Sequence, residues 1–328
     1  MRIKQNLLIC FLWMYSLHGL LAQTSTLKKA GDKITFKANE VIFNMIYVPG
    51  KQTFPIGVDD KKKATVDKSY LIGETEVTYE LWYKIRVWAE QHGYSFAYKG
   101  KEGSAGKPGS ALTVYKNNPV TGISWRDTII WSNALTEWFN SINKTKYTCV
   151  YYEDSNFKKP IRHVNRNNSI SIQKGSQDDP YENLNANGFR LLKSNEWELA
   201  ARYKDGKDWT PGNYISGTDI EFLNDFLYIN GSFVSETILN DTVAWYKNEQ
   251  TSDVKKLQAN KLGVYDMSGN VWEWCFDKYP DTIHLNRIMR GGSCFYYVLG
   301  LRVGHVYWNA PYGASYDLGF RLAMTDSK

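Results

Sequence analysis

The stretch VIFNMIYVPGKQTFPIGVDD (41–60) alternates apolar and polar residues and is broken at Pro49-Gly50, a pattern that predicts a β-hairpin. LIGETEVTYELWYKIRVWAEQHG (71–93) turns from strand to helix. In it Val77, Leu81, Trp82, Ile85 and Trp88 recur at helical spacing, and Gly93 ends the run. PVTGISWRDTIIWSNALTEWFNS (119–141) repeats the device, with a short extended piece up to about Trp125 and then a helix. Ile129, Ile130, Ala134, Leu135 and Trp138 fall on one side of that helix.

GFRLLKSNEWELAARY (188–203) predicts a strand leading into a third short helix. Ser194 is its expected N-cap, with Glu196 and Glu198 near the positive end of the helix dipole. LGVYDMSGNVWEWCFDKYP (262–280) reads as strand, with Val271 and Glu273 facing one way and Trp272 and Trp274 the other. DDKKKATVDK (59–68) mixes both charge signs and reads as a solvated loop. Residues 141–187 are polar, rich in Asn, Lys, Asp and Tyr, and read as irregular excursions. There is no internal repeat and no Pro/Ser linker. The pattern therefore predicts one domain over 41–328, preceded by an N-terminal extension at 23–40.

Composition narrows the class. The chain has 328 residues, 43% hydrophobic and 23% charged, which is enough to bury a large core. Aromatics make up 15%, with 12 Trp and 23 Tyr, a weight that suits a loop-rich α+β protein rather than a helical bundle. The basic start MRIKQN, the 16-residue apolar run LLICFLWMYSLHGLLA and the small Ala22 predict a cleaved secretion signal over 1–22. The run is short for a membrane span, and no later segment could cross a bilayer. Cys10 as a lipid attachment point is poorly supported, because bulky Ile9 precedes it. The expected location is the cell surface or the medium.

Net charge is +6, of which Arg2 and Lys4 contribute two within the leader. The remaining basic residues are scattered and form no nucleic-acid stripe. Beyond the leader stand Cys149, Cys275 and Cys294. Three cysteines make no disulfide framework, although one bridge such as Cys275–Cys294 stays open outside the cytoplasm.

Near the C-terminus, residues 294–317 depart from the rest of the chain. They hold five tyrosines (296, 297, 307, 312, 316), one Phe and one Trp, but no Lys, Glu, Gln or Met. Regular strand-like edges, RGGS and LGFRLA, bracket them and are expected to be adjacent framework strands. A long segment without helical or strand periodicity is uncommon unless functional. Tyr gives large contact area at low entropy cost, and Gly and Ser adapt around it, as in antibody paratopes. Catalytic devices are missing: the sequence has no HExxH, no GxSxG and no Walker loop.

Four segments in order, PVTGISWRD, GFRLLKSNEWELAAR, YDMSGNVWEW and RGGS…GFRLA, resemble the formylglycine-generating-enzyme family. The resemblance covers about 41–323. It implies a variant of the C-type lectin fold, with short helices packed on a twisted, irregular β-sheet. One departure is Leu-Leu-Lys at 191–193, where the family usually has Leu-Pro-Thr. The family's two active-site thiols would fall at Tyr296 and Leu301, and neither can bind copper as thiolate or do thiol redox chemistry. No copper and no enzymatic activity are therefore expected, and Cys294 is displaced by two positions. The resemblance also implies a structural calcium ion, held by the side chains of Asp266 and Glu273 and the backbone oxygens of Gly269 and Val271.

Residues 294–317 further resemble the variable region of diversity-generating-retroelement proteins that share this fold. There, adenine-specific mutagenesis produces Tyr, Phe, Leu, Gly, His, Ser, Asp, Asn, Val or Cys but never Lys, Glu, Gln, Met or Trp. The residue types missing from 294–317 match that restriction, with Trp308 as a fixed position. The resemblance implies a surface-exposed or secreted protein that presents a diversified site to a macromolecular ligand, expected to be protein and not nucleic acid. A monomer is expected. Phe295, Tyr296, Tyr297, Leu299, Gly300, His305, Tyr307, Asn309, Tyr312, Gly313, Ser315, Tyr316 and Asp317 are the expected ligand contacts. Arg290, Gly291, Gly292, Trp308, Gly319, Phe320 and Arg321 are the expected scaffold. The rival readings are a divergent thiol oxidase and a structural envelope protein with these aromatics buried. N-terminal sequencing of exported protein is expected to begin at Gln23, and a lipidated start at Cys10 would refute that cleavage site.

Overall fold

The computed structural model describes residues 28–219, 242–280, 285–296 and 298–326, together with the backbone of three short strands at 221–223, 226–229 and 232–234. The predicted leader and Tyr297 lie outside the described residues. The chain opens with β1 (Lys33–Ala38), β2 (Val41–Val48), β3 (Gln52–Ile56), β4 (Lys62–Val66) and β5 (Tyr70–Gly73), followed by α1 (Tyr79–Glu90). The two-residue strands β6 (Lys101–Glu102) and β7 (Val120–Thr121) precede α2 (Trp125–Asn143). Next come β8 (Tyr151–Tyr152), β9 (Tyr181–Glu182), β10 (Phe189–Leu191) and α3 (Ser194–Arg202). The rest is strand: β11 (Glu221–Leu223), β12 (Phe226–Ile229), β13 (Ser232–Val234), β14 (Trp272–Lys278), β15 (Arg287–Arg290), β16 (Tyr307–Asn309), β17 (Leu318–Phe320) and β18 (Leu322–Thr325). Short helices on irregular sheets make this the expected α+β, C-type-lectin-like fold. Among the described residues no helix is long and apolar enough to cross a membrane.

Two sheets organise the core. One has the order β1-β2-β5-β18-β10 and the other β16-β15-β14-β17. The chain passes between them at Arg321, which joins β17 to β18. The helices form where their sequence predicts. Thr78 caps α1 by accepting from the Leu81 amide, and Ser124 caps α2 in a capping box with Asp127. The α1 and α2 faces meet through stacked Trp82 and Trp131, 5.5 Å between ring centroids. Phe320 of β17 sets its edge against both rings.

Several expectations change. Within the expected 23–40 extension, β1 pairs with β2 through six residues, so Lys33–Ala38 belongs to the sheet. Residues 41–60 form no hairpin, because β2 pairs with β1 and β5 while β3 pairs with β4. The 59–68 stretch contains β4 and is not wholly a solvated loop; Lys62 and Lys63 of that strand are exposed. Ser194 is the first residue of α3 rather than its cap; Lys193 takes that place, and its amide donates to Glu196 Oε2 at 2.9 Å. The 262–280 stretch is strand only over Trp272–Lys278, and its Trp272–Cys275 part is buried on both faces. Phe320→Ala is expected to cost about 3–5 kcal/mol of stability, measured by urea unfolding, since the ring is fully buried between two tryptophans.

Candidate ligand-binding site

The candidate segment is held at both ends by buried arginines. At the end of β15, the Arg290 guanidinium donates to the Ser194 hydroxyl (2.8 Å) and to Glu198 Oε2 (2.6 Å). Its Nη1 donates to the carbonyls of Val303 (3.3 Å) and His305 (2.9 Å), within the aromatic segment itself. Glu198 in turn accepts from Arg202 (2.7 Å), and Arg202 reaches Asp60 (2.6 Å). The charges thus alternate in sign through the interior. At the far end, Arg321 meets Glu273 at 2.6 Å and donates to the carbonyls of Gly73 and Tyr265.

Glycine is required just after Arg290. Gly291 and Gly292 take φ values of +91° and +73°, and a Cβ at Gly292 would lie 2.6 Å from Leu301 Cδ2. At Gly319 a Cβ would approach the Val120 carbonyl to 2.5 Å. Arg290, Gly291, Gly292, Gly319, Phe320 and Arg321 are all buried, in keeping with a scaffold role.

The segment is more regular than its sequence suggests. Val298–Gly300 form a 3-10 turn, and β16 pairs antiparallel with β15. The bracketing strands β15 and β17 are not neighbours as expected; β14 lies between them, antiparallel to the first and parallel to the second. Within β16, Tyr307 and Trp308 are exposed and Asn309 is half-buried. Trp308 is therefore no buried scaffold: it is 42% exposed and stacks against Tyr307.

Tyr296, Leu299, Tyr307 and Tyr316 are exposed, and Phe295, His305, Asn309, Tyr312, Gly313 and Ser315 are half-buried. Two expected contacts are instead buried. Gly300 packs beneath Tyr296 and against Trp272, and Asp317 accepts hydrogen bonds from the hydroxyls of Ser293 (2.7 Å) and Ser315. Burial and the nearby Arg302 and Arg290 guanidiniums push His305 down to about 4, so its ring is neutral near pH 7.

Several of these residues converge on a cavity of about 290 Å³ with Trp272 and Met289 beneath and Tyr296, Tyr307, Trp308 and Asp317 around it. Trp272 stands edge-on to Tyr296 and stacks on Tyr307, 5.1 and 5.7 Å between centroids. Phe295 and Tyr316 pair separately at 4.9 Å. The framework also packs cations against these rings: Lys101 lies over Tyr316, and Arg126, fully buried and paired with Asp178, lies against Tyr312. Trp272, Lys101 and Arg126 come from distant parts of the chain and were missed from sequence. The alternation of Trp272 and Trp274 was visible, but not the surface it would meet.

The thiol positions of the resembled enzymes are filled without redox capacity. Tyr296 is exposed and Leu301 fully buried. Cys275 and Cys294 are free and buried, and burial pushes the Cys294 thiol up to about 12.

Residues 33–326 match the sulfatase-modifying factor enzyme 1-like domain. The chain belongs to that family. A chaperone protein, LppX, of Paenibacillus barcinonensis is 28% identical over 239 residues, covering 71% of each chain. Among solved structures, CarF superposes with a TM-score of 0.65 at 25% identity over 87% of this chain and 99% of its own. Treponema denticola variable protein 1 superposes with a TM-score of 0.64 at 26% identity over 90% and 99%. The resemblance to variable proteins of this fold thus extends to the whole domain.

At the positions where the resemblance implies calcium ligands, both carboxylate oxygens of Glu273 are engaged, by Arg321 and by the Trp197 indole N–H at 2.8 Å. Asp266 instead meets Glu76, a fully buried carboxyl whose two oxygens have no hydrogen-bond donor. Burial raises both groups, and Asp266 raises Glu76 further. Among the described residues no three acid, His or Cys side chains are placed to hold a metal.

Arg290→Met is expected to cost about 3–5 kcal/mol, because it breaks a buried ion pair at Glu198 Oε2 and removes the donor to the Val303 and His305 carbonyls. Amide exchange at 303–305 should quicken in the same variant. Unchanged exchange there would show that the guanidinium does not hold the segment.

Proposed function

We propose that this chain is a non-enzymatic, exported binding protein of the sulfatase-modifying factor family, and that its 294–317 segment presents a diversified site to a protein ligand. The observation that carries this reading is the division of labour at the segment. The expected contact side chains of Tyr296, Leu299, Tyr307 and Tyr316 face solvent, while Arg290 grips the backbone carbonyls of Val303 and His305. A loop held by its backbone keeps its shape when its side chains change. An exposed run of Tyr and Trp is also the composition of interface centres. The similarity to a solved variable protein supports the same reading.

Replacing Tyr296, Tyr307, Trp308 and Tyr316 together by Ser is expected to leave the fold nearly intact, since exposed substitutions usually change stability by within roughly 0.5 kcal/mol each. Ligand capture from the surface of target cells should be lost in that variant. Capture that persists would refute the assignment of this face. A sulfatase-type cysteine peptide is expected not to be turned over with copper and oxygen. The genome is expected to hold a second copy of the 294–317 coding sequence that differs at adenines.

Calcium is proposed in an altered site. Asp266 and the unpartnered Glu76 carboxyl would supply the charge, and the carbonyls of Gly269 and Val271 in the same turn would complete a hard oxygen set. Glu273 remains with Arg321. Calcium is expected to raise the melting temperature of the native chain over that in chelator, and Glu76→Gln to abolish the difference. Identical melting of the native chain in both conditions would reject the site.

A further inference from the structure

The 290 Å³ cavity joins two features that select for one chemistry. Its walls are aromatic: Trp272 below, Tyr296 and Tyr307 against it, and Trp308 stacked on Tyr307. Its one ionisable carboxyl is Asp317, buried to 7% exposure. That side chain has two hydroxyl partners, Ser293 and Ser315, and among the described residues no Lys or Arg pairs with it. A carboxylate offers about four acceptor positions, so two hydroxyls leave capacity for another donor. Ring faces attract cations, and more strongly where water is displaced. An anionic ligand would meet the Asp317 charge in a partly desolvated space, whereas a neutral apolar group would leave that charge uncompensated.

We propose that this cavity, in the sequence variant present here, receives a cationic side chain, lysine or arginine, from the protein ligand. The inference rests on the ligand-face reading of the preceding subsection and names the chemistry of its central pocket. Tyr296, Tyr307 and Trp308 supply the accessible ring surface, backed by the buried Trp272 of the framework strand β14. Asp317 supplies the counter-charge, positioned by the Ser293 and Ser315 hydroxyls. Tyr296, Tyr307, Ser315 and Asp317 are all of residue types that diversification can produce, so other variants would take other groups in the same framework.

The test titrates the full mature chain with the Nα-acetyl methylamides of lysine, arginine, norleucine and glutamate, following the indole N–H resonances by NMR. Lysine or arginine amide is expected to shift the Trp272 and Trp308 signals saturably. Norleucine and glutamate amides should bind at least about tenfold more weakly. Asp317→Asn, with its melting temperature recorded alongside, should reduce the lysine and arginine affinity by a similar factor. Norleucine or glutamate amide binding as well as the cations would overturn the proposal but leave the ligand face standing. If no amide perturbs these signals, the pocket assignment fails. Both readings fail if, in addition, the serine variant of this face still captures ligand.

Discussion

The Arg290 guanidinium sits where the two halves of the structure meet. It is buried and uses its donors on the Ser194 hydroxyl, the Glu198 carboxylate and two carbonyls of the aromatic segment. Taking such a charge out of water costs several kcal/mol, which only a counter-ion and a full set of hydrogen bonds can offset. Glu198 is that counter-ion, and it is itself held by Arg202, which is held by Asp60. The geometry of α3, the β3–β4 ribbon and the aromatic segment is therefore fixed together. Arg321 and Glu273 do the same at the far edge, where the chain crosses from one sheet to the other.

This anchoring explains how the segment can have a defined shape with little core of its own. Leu301 and Val303 are its buried apolar pegs, and most of its remaining structure comes from main-chain contacts. Gly122 donates to the Ser315 carbonyl, Arg126 to that of Pro311, and Val303 to that of Tyr214. These bonds do not depend on side-chain identity within the segment. The aromatic side chains are left free to form a surface, and their contacts with one another, around Trp272, Tyr296 and Tyr307, give that surface a pocket rather than a flat face.

Much of the fold was legible in the sequence. The helices α1 and α2 lie where their apolar spacing placed them, and the four motif segments identified the family from residue order. The unusual composition of 294–317 was visible too, and so was the loss of both thiols at Tyr296 and Leu301. These are local properties: periodicity, capping residues and side-chain chemistry do not depend on which strands meet.

What only the tertiary structure decided was pairing and partnership. Sequence order suggested that β15 and β17 were neighbours, but β14 inserts between them, because a parallel pairing with β17 leaves its other edge for β15. Trp308 looked fixed and hence structural, yet on β16 it is exposed and stacks on Tyr307. Asp317 looked like an exposed contact and Glu273 like a calcium ligand, but the first lies buried in the cavity wall beside two hydroxyls and the second is paired with Arg321. The roles of Asp317 and Glu273 depend on groups distant in sequence, Ser293 being 24 positions from the first and Arg321 48 positions from the second. Local sequence determined which elements form and which side chains are available. Long-range packing determined which of those side chains remain free to meet a ligand.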